Sequence, residues 1–119
     1  MSQGSVELKL WRYATSARDE PYLVREIRKS GASLSAVAKL ELAMSRLENG
    51  QSRAGEHSRV RGDIWELRVN YEKHWYRLLF ARDGDLYIAL FFGAKKTNKL
   101  DSSWIETAES RLRDYRRSR

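Results

Sequence analysis

Cysteine is absent from the chain, and histidine occurs only twice, at His57 and His74. The missing thiols exclude disulfides, thiol nucleophiles and every cysteine-based zinc or iron–sulfur site. The two histidines have no set of carboxylates at metal-ligand spacing beside them, so we expect neither a metal nor a cofactor. A glycine-rich phosphate loop, a paired-carboxylate motif and a GxSxG motif are also missing. These absences exclude the common metal, thiol, serine-nucleophile and nucleotide-binding classes of enzyme.

Long hydrophobic runs are missing as well. The longest one ends at Ala94 and is far shorter than the roughly 20 apolar residues that cross a bilayer. The first five residues lack a basic-then-apolar signal pattern. With 119 residues and 41% hydrophobic side chains, the chain has enough apolar mass for one core and is too short for two. We therefore expect a single cytoplasmic domain over residues 1–119 that makes no membrane contact.

Positive charge is in excess over negative charge. Lysine and arginine number 23 against 16 acidic residues, which gives a net charge of +7. The excess is spread along the chain, and only the last ten residues, with a basic tail at 116–119, are locally dense. This balance favours a polyanionic partner such as RNA, DNA or an acidic protein segment.

Hydrophobic periodicity and turn residues predict seven elements in the order β-α-α-β-β-β-α. A first strand covers residues 6–13, and residues 51–62 form a polar connection. The other predicted elements are helices over residues 19–30 and 33–48, strands over 64–71, 74–82 and 85–92, and a last helix from Ser103. This order favours an α+β fold, with a small antiparallel sheet and helices packed mainly on one face.

Local signals mark the ends of the predicted elements. Asp19 is expected to cap the first helix and Gly31 to end it. Ser103 and Glu106 predict a capping box for the last helix, and Asp83-Gly84 predicts a two-residue hairpin turn. One face of the second helix carries an apolar stripe that we expect to lie in the core: Leu34, Val37, Leu40, Met44 and Leu47.

Two arginines face each other in the middle hairpin of the predicted sheet. If Glu72-Lys73 is a two-residue loop, Arg68 lies directly opposite Arg77. The next turn then places Arg77 opposite Leu90. Like charges across a ladder are destabilising, unless a carboxylate lies between them or the site binds an anion. Glu66, on the same face, suits the first explanation and a bound phosphate suits the second, and the residues alone leave both open.

A second basic cluster directly follows the last predicted strand: Lys95, Lys96, Thr97, Asn98 and Lys99. Its lysines and small polar side chains suit a phosphate backbone, although a solvated connection has the same composition. Because the strand ends in the same sheet as both arginines, we expect the two clusters to form one concavity. Arg59 and Arg61 are expected to line this concavity too. The two histidines are interpreted as surface residues, and the four tryptophans as core or interface anchors.

Four segments occur in a specific order along the chain: Ile64-Trp65-Glu66-Leu67-Arg68, Tyr76-Arg77-Leu78-Leu79-Phe80, Gly93-Ala94-Lys95-Lys96-Thr97, and a last helix with Ala108-x-x-Arg111. This ordered set resembles the HigB-like, phage-derived branch of the RelE/ParE toxin superfamily. The resemblance covers about residues 6–116, and Arg59-Val60-Arg61-Gly62 matches the segment that precedes the first of the four. Val60 and Asp63 depart from the residues common in that family, without affecting the basic positions.

The resemblance implies a toxin of a bacterial type II toxin–antitoxin module, neutralised by a helix-turn-helix antitoxin in a hetero-oligomer. Toxins of the RelE and HigB type cut messenger RNA, commonly on the ribosome, with basic residues and without a metal. Arg68 and Arg77 would then stabilise the charge that develops on the phosphoryl oxygens. Lys95 or Lys96 would act as general base or acid, with Tyr115 as a further candidate. The residues expected to hold the RNA backbone are Arg59, Arg61 and Lys99.

Two other functions remain open at this point. The same fold is associated with ParE-type toxins, which inhibit gyrase, and retention of the arginine pair and of both lysines favours the ribonuclease over them. A domain that binds nucleic acid without cutting it, as a regulator, would also explain the basic charge. Such a domain would lose affinity uniformly when a phosphate contact is removed, without loss of any reaction.

Overall fold

A computed structural model describes residues 7–118, which form a five-stranded mixed sheet and three helices. The elements are β1 (Trp11–Tyr13), α1 (Tyr22–Ser30), α2 (Leu34–Glu48), β2 (His57–Arg61), β3 (Ile64–Tyr71), β4 (His74–Asp83), β5 (Leu86–Lys95) and α3 (Ser102–Ser118). The strand order is β1-β5-β4-β3-β2, with β1 parallel to β5 and the other pairs antiparallel. The predicted α+β class is confirmed. No helix within residues 7–118 is both long and apolar enough to cross a membrane.

Two strands differ from the sequence prediction. Residues His57–Arg61 of the predicted polar connection form β2, an edge strand that pairs with β3. Its polar side chains lack the apolar alternation of a buried strand because an edge strand faces water, and edge strands commonly carry charge. The first strand is shorter than predicted, with only Trp11–Tyr13 paired to β5. Val6, the first residue of that prediction, lies outside the described residues.

Local chemistry explains two of the helix ends, whereas one predicted cap and one predicted core residue are wrong. Gly31, at φ 72°, ends α1 as predicted. The Oγ of Ser33 accepts a hydrogen bond from the Ala36 N–H and caps α2. The predicted cap of α1 by Asp19 is wrong, because α1 begins only after Pro21 and has no side-chain cap. Leu34, predicted in the core, is 89% exposed in the first turn of α2.

Helices cover both faces of the sheet. On one face, α2 packs through Leu40 and Met44 against apolar side chains of β3, β4 and β5. On the other, α3 packs through Ala108 and Leu112. We expected the helices mainly on one face, whereas consecutive positions of β4, from Leu78 to Ala81, are all buried. Strands that are apolar at every position need cover on both sides.

Helix α1 lies along β5 and closes the part of its edge that β1 does not reach. The Glu26 carboxylate accepts a hydrogen bond from the Phe92 backbone N–H at 2.9 Å and pairs with Arg111 of α3 at 2.8 Å. The Arg111 guanidinium also lies 3.7 Å from the centroid of the Tyr22 ring. Arg111 therefore connects α3 to α1 and to the sheet. The arginine of the Ala108-x-x-Arg111 segment thus has a structural role.

The register of the middle hairpin is as predicted, and that of the next hairpin is not. Arg68 pairs with Arg77 across the Glu72-Lys73 loop. In the β4–β5 hairpin, Asp83 pairs with Leu86, so the two central turn residues are Gly84 and Asp85. Gly84, at φ 62°, occupies the first of these positions, where a type II′ turn favours glycine.

A bulge between Leu79 and Phe80 shifts the register of this hairpin by one further residue. Arg77 therefore pairs with Gly93 rather than with Leu90. The Trp104 ring of α3 lies directly over Gly93, and a Cβ at that position would come within 2.4 Å of Cη2 of the ring. This close approach positions the first turn of α3 on the sheet.

Gly93→Ala should destabilise the protein by about 1–3 kcal/mol, because the added methyl group displaces the Trp104 ring. Urea unfolding followed by circular dichroism measures the change. In a Trp104→Leu background the same substitution should have a much smaller effect, since the clashing ring is gone. Equal losses in both backgrounds would contradict the assigned contact.

Candidate nucleic-acid interface

The α3 side of the sheet is covered only in part. Trp104, in the first turn of α3, packs on Gly93 and Phe91, and the following turns run towards Ile64. Beyond Gly93 the sheet continues without a helix over it. We call this area the open face, and it consists of two rows of paired residues: Asn70, Trp75 and Lys95 in the outer row, and Arg68, Arg77 and Gly93 in the inner row.

A buried carboxylate joins the two arginines of the inner row. Glu66 accepts a hydrogen bond from Arg77 Nη1 at 2.6 Å and pairs with Arg68 Nε at 3.3 Å. The side chains of Arg77 and Glu66 are only 2% and 7% exposed. A carboxylate between facing arginines was the first of the two explanations left open above, and this ion pair agrees with it.

The loop after β5 covers Arg77. Its Nη2 donates to Oδ1 of Asn98 at 2.5 Å, so the loop residue lies over the inner row. The third guanidinium donor, Nε, is buried and has no acceptor among residues 7–118. The guanidinium is held from two directions, and its burial keeps it from direct contact with a ligand on the open face.

Arg68 is oriented by the ion pair with Glu66 and by one side-chain hydrogen bond, and it remains accessible. Its Nη2 donates to the Gly55 carbonyl at 2.8 Å, and 26% of the side chain is exposed. Gly55 belongs to the turn before β2, which the ion pair between Arg46 and Glu56 ties to α2. No sequence signal pointed to this carbonyl. Arg68 is therefore an oriented cation that a ligand on the open face can reach.

Lys95 lies at the edge of the open face, between the sheet and the start of α3. Its Nζ is 3.1 Å from Oδ2 of Asp101 and 5.1 Å from the centroid of the Trp104 ring. Asp101 also caps α3, since its Oδ1 accepts from the N–H and the Oγ of Ser103. The predicted capping box of Ser103 and Glu106 is therefore wrong: α3 begins at Ser102, and its cap is Asp101, two residues before Ser103.

The hydrogen bonds from Ser103, and then the ammonium of Lys95, lower the pKa of Asp101 to about 2. The carboxylate is thus fully ionised at neutral pH. It anchors Lys95 and the helix start at the same time.

Two predicted RNA-binding arginines do not lie on the open face. Arg59 pairs with Trp65, whose ring packs on the α2 side, and its Nε donates to the Gly62 carbonyl. Arg61 pairs with Glu109 in the middle of α3 at 2.7 Å. The expectation that both line the concavity is wrong, because β2 is a strand whose register directs them elsewhere.

Of the other predicted site residues, two lie beside the open face and one lies away from it. Lys96 and Lys99 are exposed in the loop beside the open face. Tyr115 lies eleven residues beyond Trp104 on α3, about 16 Å along the helix axis, and packs against the α3-side core. It does not reach the open face. Within residues 7–118, no group of three or more histidine, aspartate and glutamate side chains is arranged to bind a metal ion.

Neither histidine lies on the open face. His57 pairs with Leu67 and His74 with Tyr71, and both pairs lie on the α2 side of the sheet. His57 Nδ1 is 2.7 Å from Ser52 Oγ, and His74 Nδ1 is 3.1 Å from the Glu72 carbonyl. Acid–base chemistry on the open face therefore falls to residues other than histidine.

Residues 30–113 match the profile of the family described as phage-derived protein Gp49-like. The chain belongs to this family. The matched range includes the whole open face, the loop after β5 and most of α3. The resemblance to HigB-like toxins is also confirmed, because the chain is 32% identical over 109 residues to the protein named probable endoribonuclease HigB1 in Mycobacterium tuberculosis, in strains H37Rv and CDC 1551 / Oshkosh. The alignment covers 91% of this chain and 86% of that relative.

Glu66→Gln should destabilise this Gp49-like protein by about 3–5 kcal/mol, because it leaves the buried Arg77 guanidinium without its counter-charge. Glu109→Gln breaks the exposed pair with Arg61 and should change stability by less than about 1 kcal/mol. Urea unfolding of the two variants measures both changes. Similar losses would show that the Glu66 pair is no more important than a surface ion pair.

The Asp101 carboxyl should titrate near pH 2, which NMR of its side-chain carbon measures. Because folding lowers this pKa, the ionised group stabilises the fold above its unfolded pKa, and the contribution is lost as the pH falls through about 2. Ser103→Ala should raise this pKa, since the hydrogen bond from the Ser103 hydroxyl is the largest cause of the shift. An unchanged pKa in this variant would contradict that assignment.

Proposed function

We propose that this Gp49-like protein is a single-domain toxin of a type II toxin–antitoxin module and an endoribonuclease that cuts messenger RNA. The observation that carries the proposal is the accessible guanidinium of Arg68, oriented by Glu66 and the Gly55 carbonyl beside a cluster of lysines. Five cations on and around the open face, against two carboxylates, favour a polyanionic substrate. The printed name of the mycobacterial relative supports the same activity.

The reaction proposed is attack of a ribose 2′-hydroxyl on the adjacent phosphorus. The bond from phosphorus to the 5′-oxygen breaks, which yields a 2′,3′-cyclic phosphate and a 5′-hydroxyl. Negative charge accumulates on the phosphoryl oxygens, and an oriented cation stabilises it better in the transition state than in the ground state. Arg68 takes this role because Glu66 and the Gly55 carbonyl orient its guanidinium before the substrate arrives.

The proton is proposed to move through a lysine. The 2′-hydroxyl must lose a proton and the leaving 5′-oxygen must gain one. Lys95 is fixed by Asp101 and Trp104 at the rim of the open face, whereas Lys96 is exposed in the next position of the chain. One of these lysines is proposed to act on the phosphate bound at Arg68, and Lys99 is proposed to bind the RNA backbone.

Arg77 is proposed as a positioning residue. Its side chain is 2% exposed, so it acts through the groups that it holds, Glu66 and Asn98. Glu66 in turn orients Arg68, and Asn98 fixes the loop that carries Lys96. Loss of Arg77 should therefore impair cleavage by disordering the site rather than by removing a contact to RNA.

The partners proposed are messenger RNA on the ribosome and a helix-turn-helix antitoxin. A site with so few groups gains most from a ribosome that holds the RNA in a reactive conformation. An acidic or amphipathic segment of the antitoxin would cover the positive open face, because complementary charge directs such association. Toxin and antitoxin would then form a hetero-oligomer.

Arg68→Gln should reduce the cleavage rate by roughly 10²- to 10³-fold, the usual effect of removing one preorganised donor at an oxyanion. Arg59→Gln is the matched control, since it removes an arginine from the same pair of strands on the opposite face. The control should cut within a few-fold of the wild-type rate. Primer extension on a defined transcript in a reconstituted translation reaction, with and without ribosomes, measures both variants.

Ribosome-dependent cuts that the wild type makes and Arg68→Gln loses would support the ribosome-dependent endoribonuclease and the role of Arg68. Cuts without ribosomes would keep the endoribonuclease and remove the ribosome requirement. Growth arrest with intact transcripts and a DNA-damage response would replace it with gyrase inhibition. RNA binding that weakens in Arg68→Gln, without any cleavage by the wild type, would identify a binding regulator.

A further inference from the structure

Trp75 differs from the other three tryptophans in its surroundings. Trp11 lies in the α2-side core, Trp65 packs against that core, and Trp104 packs against the α3-side core. Trp75 belongs to neither cluster among the described residues. Its side chain is partly buried, so it presents an aromatic surface that core packing does not explain.

The rings of the other three tryptophans also have aromatic partners. Trp11 lies against Phe80 and Tyr87, Trp65 against His57, and Trp104 against Phe91. Within residues 7–118 the Trp75 ring contacts no other aromatic ring, and its indole N–H has no hydrogen-bond acceptor. An indole normally satisfies its N–H and its ring faces when it serves structure.

Strand register places Trp75 in the middle of the outer row of the open face. Its neighbour Tyr76 points into the α2-side core, so Trp75 points to the other side of the sheet. It pairs directly with Lys95 on β5 and with Asn70 on β3. Arg68 is its diagonal neighbour, at roughly 7–8 Å between Cα atoms.

We propose that Trp75 is a stacking platform for an unpaired RNA base next to the scissile phosphate. The inference rests on the proposed endoribonuclease function and adds a contact to the substrate itself. A phosphate bound by Arg68 leaves the adjoining nucleotide over the outer row, where Trp75 supplies a flat ring and Lys95 a cation. Stacking on an aromatic ring beside a basic groove is how proteins hold single-stranded nucleic acid.

The surroundings favour a base over a protein side chain as the occupant. The residues around Trp75 on this face are Asn70, Lys95, Arg68 and Arg77. Protein-binding sites of comparable size have an apolar centre that excludes water. An aromatic ring beside the accessible cations Arg68 and Lys95 matches a nucleotide, which combines a flat apolar base with a negative phosphate.

The test uses the transcript that the wild-type protein cuts, prepared also with a single abasic ribonucleotide at each position flanking the cut. Trp75→Ala should reduce kcat/KM on the intact transcript by roughly 5- to 150-fold, the equivalent of base–aromatic stacking at about 1–3 kcal/mol. At one abasic position the wild type should fall to the rate of the variant, and the variant should lose nothing further. Trp75→Phe should retain most of the wild-type rate.

Trp65→Ala is the matched control, because it removes the same ring from the opposite face and should cut like the wild type. Circular dichroism checks that each variant is folded at the assay temperature. A rate unchanged in Trp75→Ala, or an equal loss on the intact and on every abasic transcript, would overturn the stacking contact while leaving the ribonuclease in place. A wild type that cuts no transcript would overturn the ribonuclease, and the stacking contact with it.

Discussion

The buried contact between Glu66 and Arg77 is the interaction on which the open face depends. Two arginines directly opposite each other on antiparallel strands repel, and one of them is almost completely removed from water. Glu66 compensates that charge and also pairs with Arg68. Breaking such a buried pair is far more destabilising than breaking a surface pair. The same carboxylate therefore allows the sheet to form and orients the cation that faces the substrate.

The position of α3 determines how much of the sheet is left for a ligand. The Trp104 ring lies directly over Gly93. A Cβ at this strand position would clash with the ring. Arg111 then ties the helix to α1 and to β5. As a result the core lies under most of α3, and no helix within residues 7–118 covers the outer row or Arg68. The open face and the α3-side core thus lie on the same side of the sheet.

The proposed chemistry follows from how each cation is held. Arg77 is buried between Glu66 and Asn98, Arg68 is oriented and accessible, and Lys95 is anchored by a carboxylate whose pKa is lowered to about 2. Groups that are fixed before the substrate arrives need no rearrangement as charge develops on it. The exposed lysines of the loop add long-range attraction for RNA. Trp75 would stack on the base, which is the apolar part of a nucleotide.

Local sequence signals were sufficient for the features that depend on neighbouring residues. The α+β class, the Arg68–Arg77 register and the end of α1 at Gly31 follow from alternation, from a two-residue loop and from one left-handed glycine. The features that depend on distant segments were not predictable in this way. The Gly84-Asp85 turn and a bulge together moved Arg77 from Leu90 to Gly93, and the pairing of β2 turned Arg59 away from the site. Such choices are made by packing across the sheet, because register and strand direction are settled by which faces can be buried together.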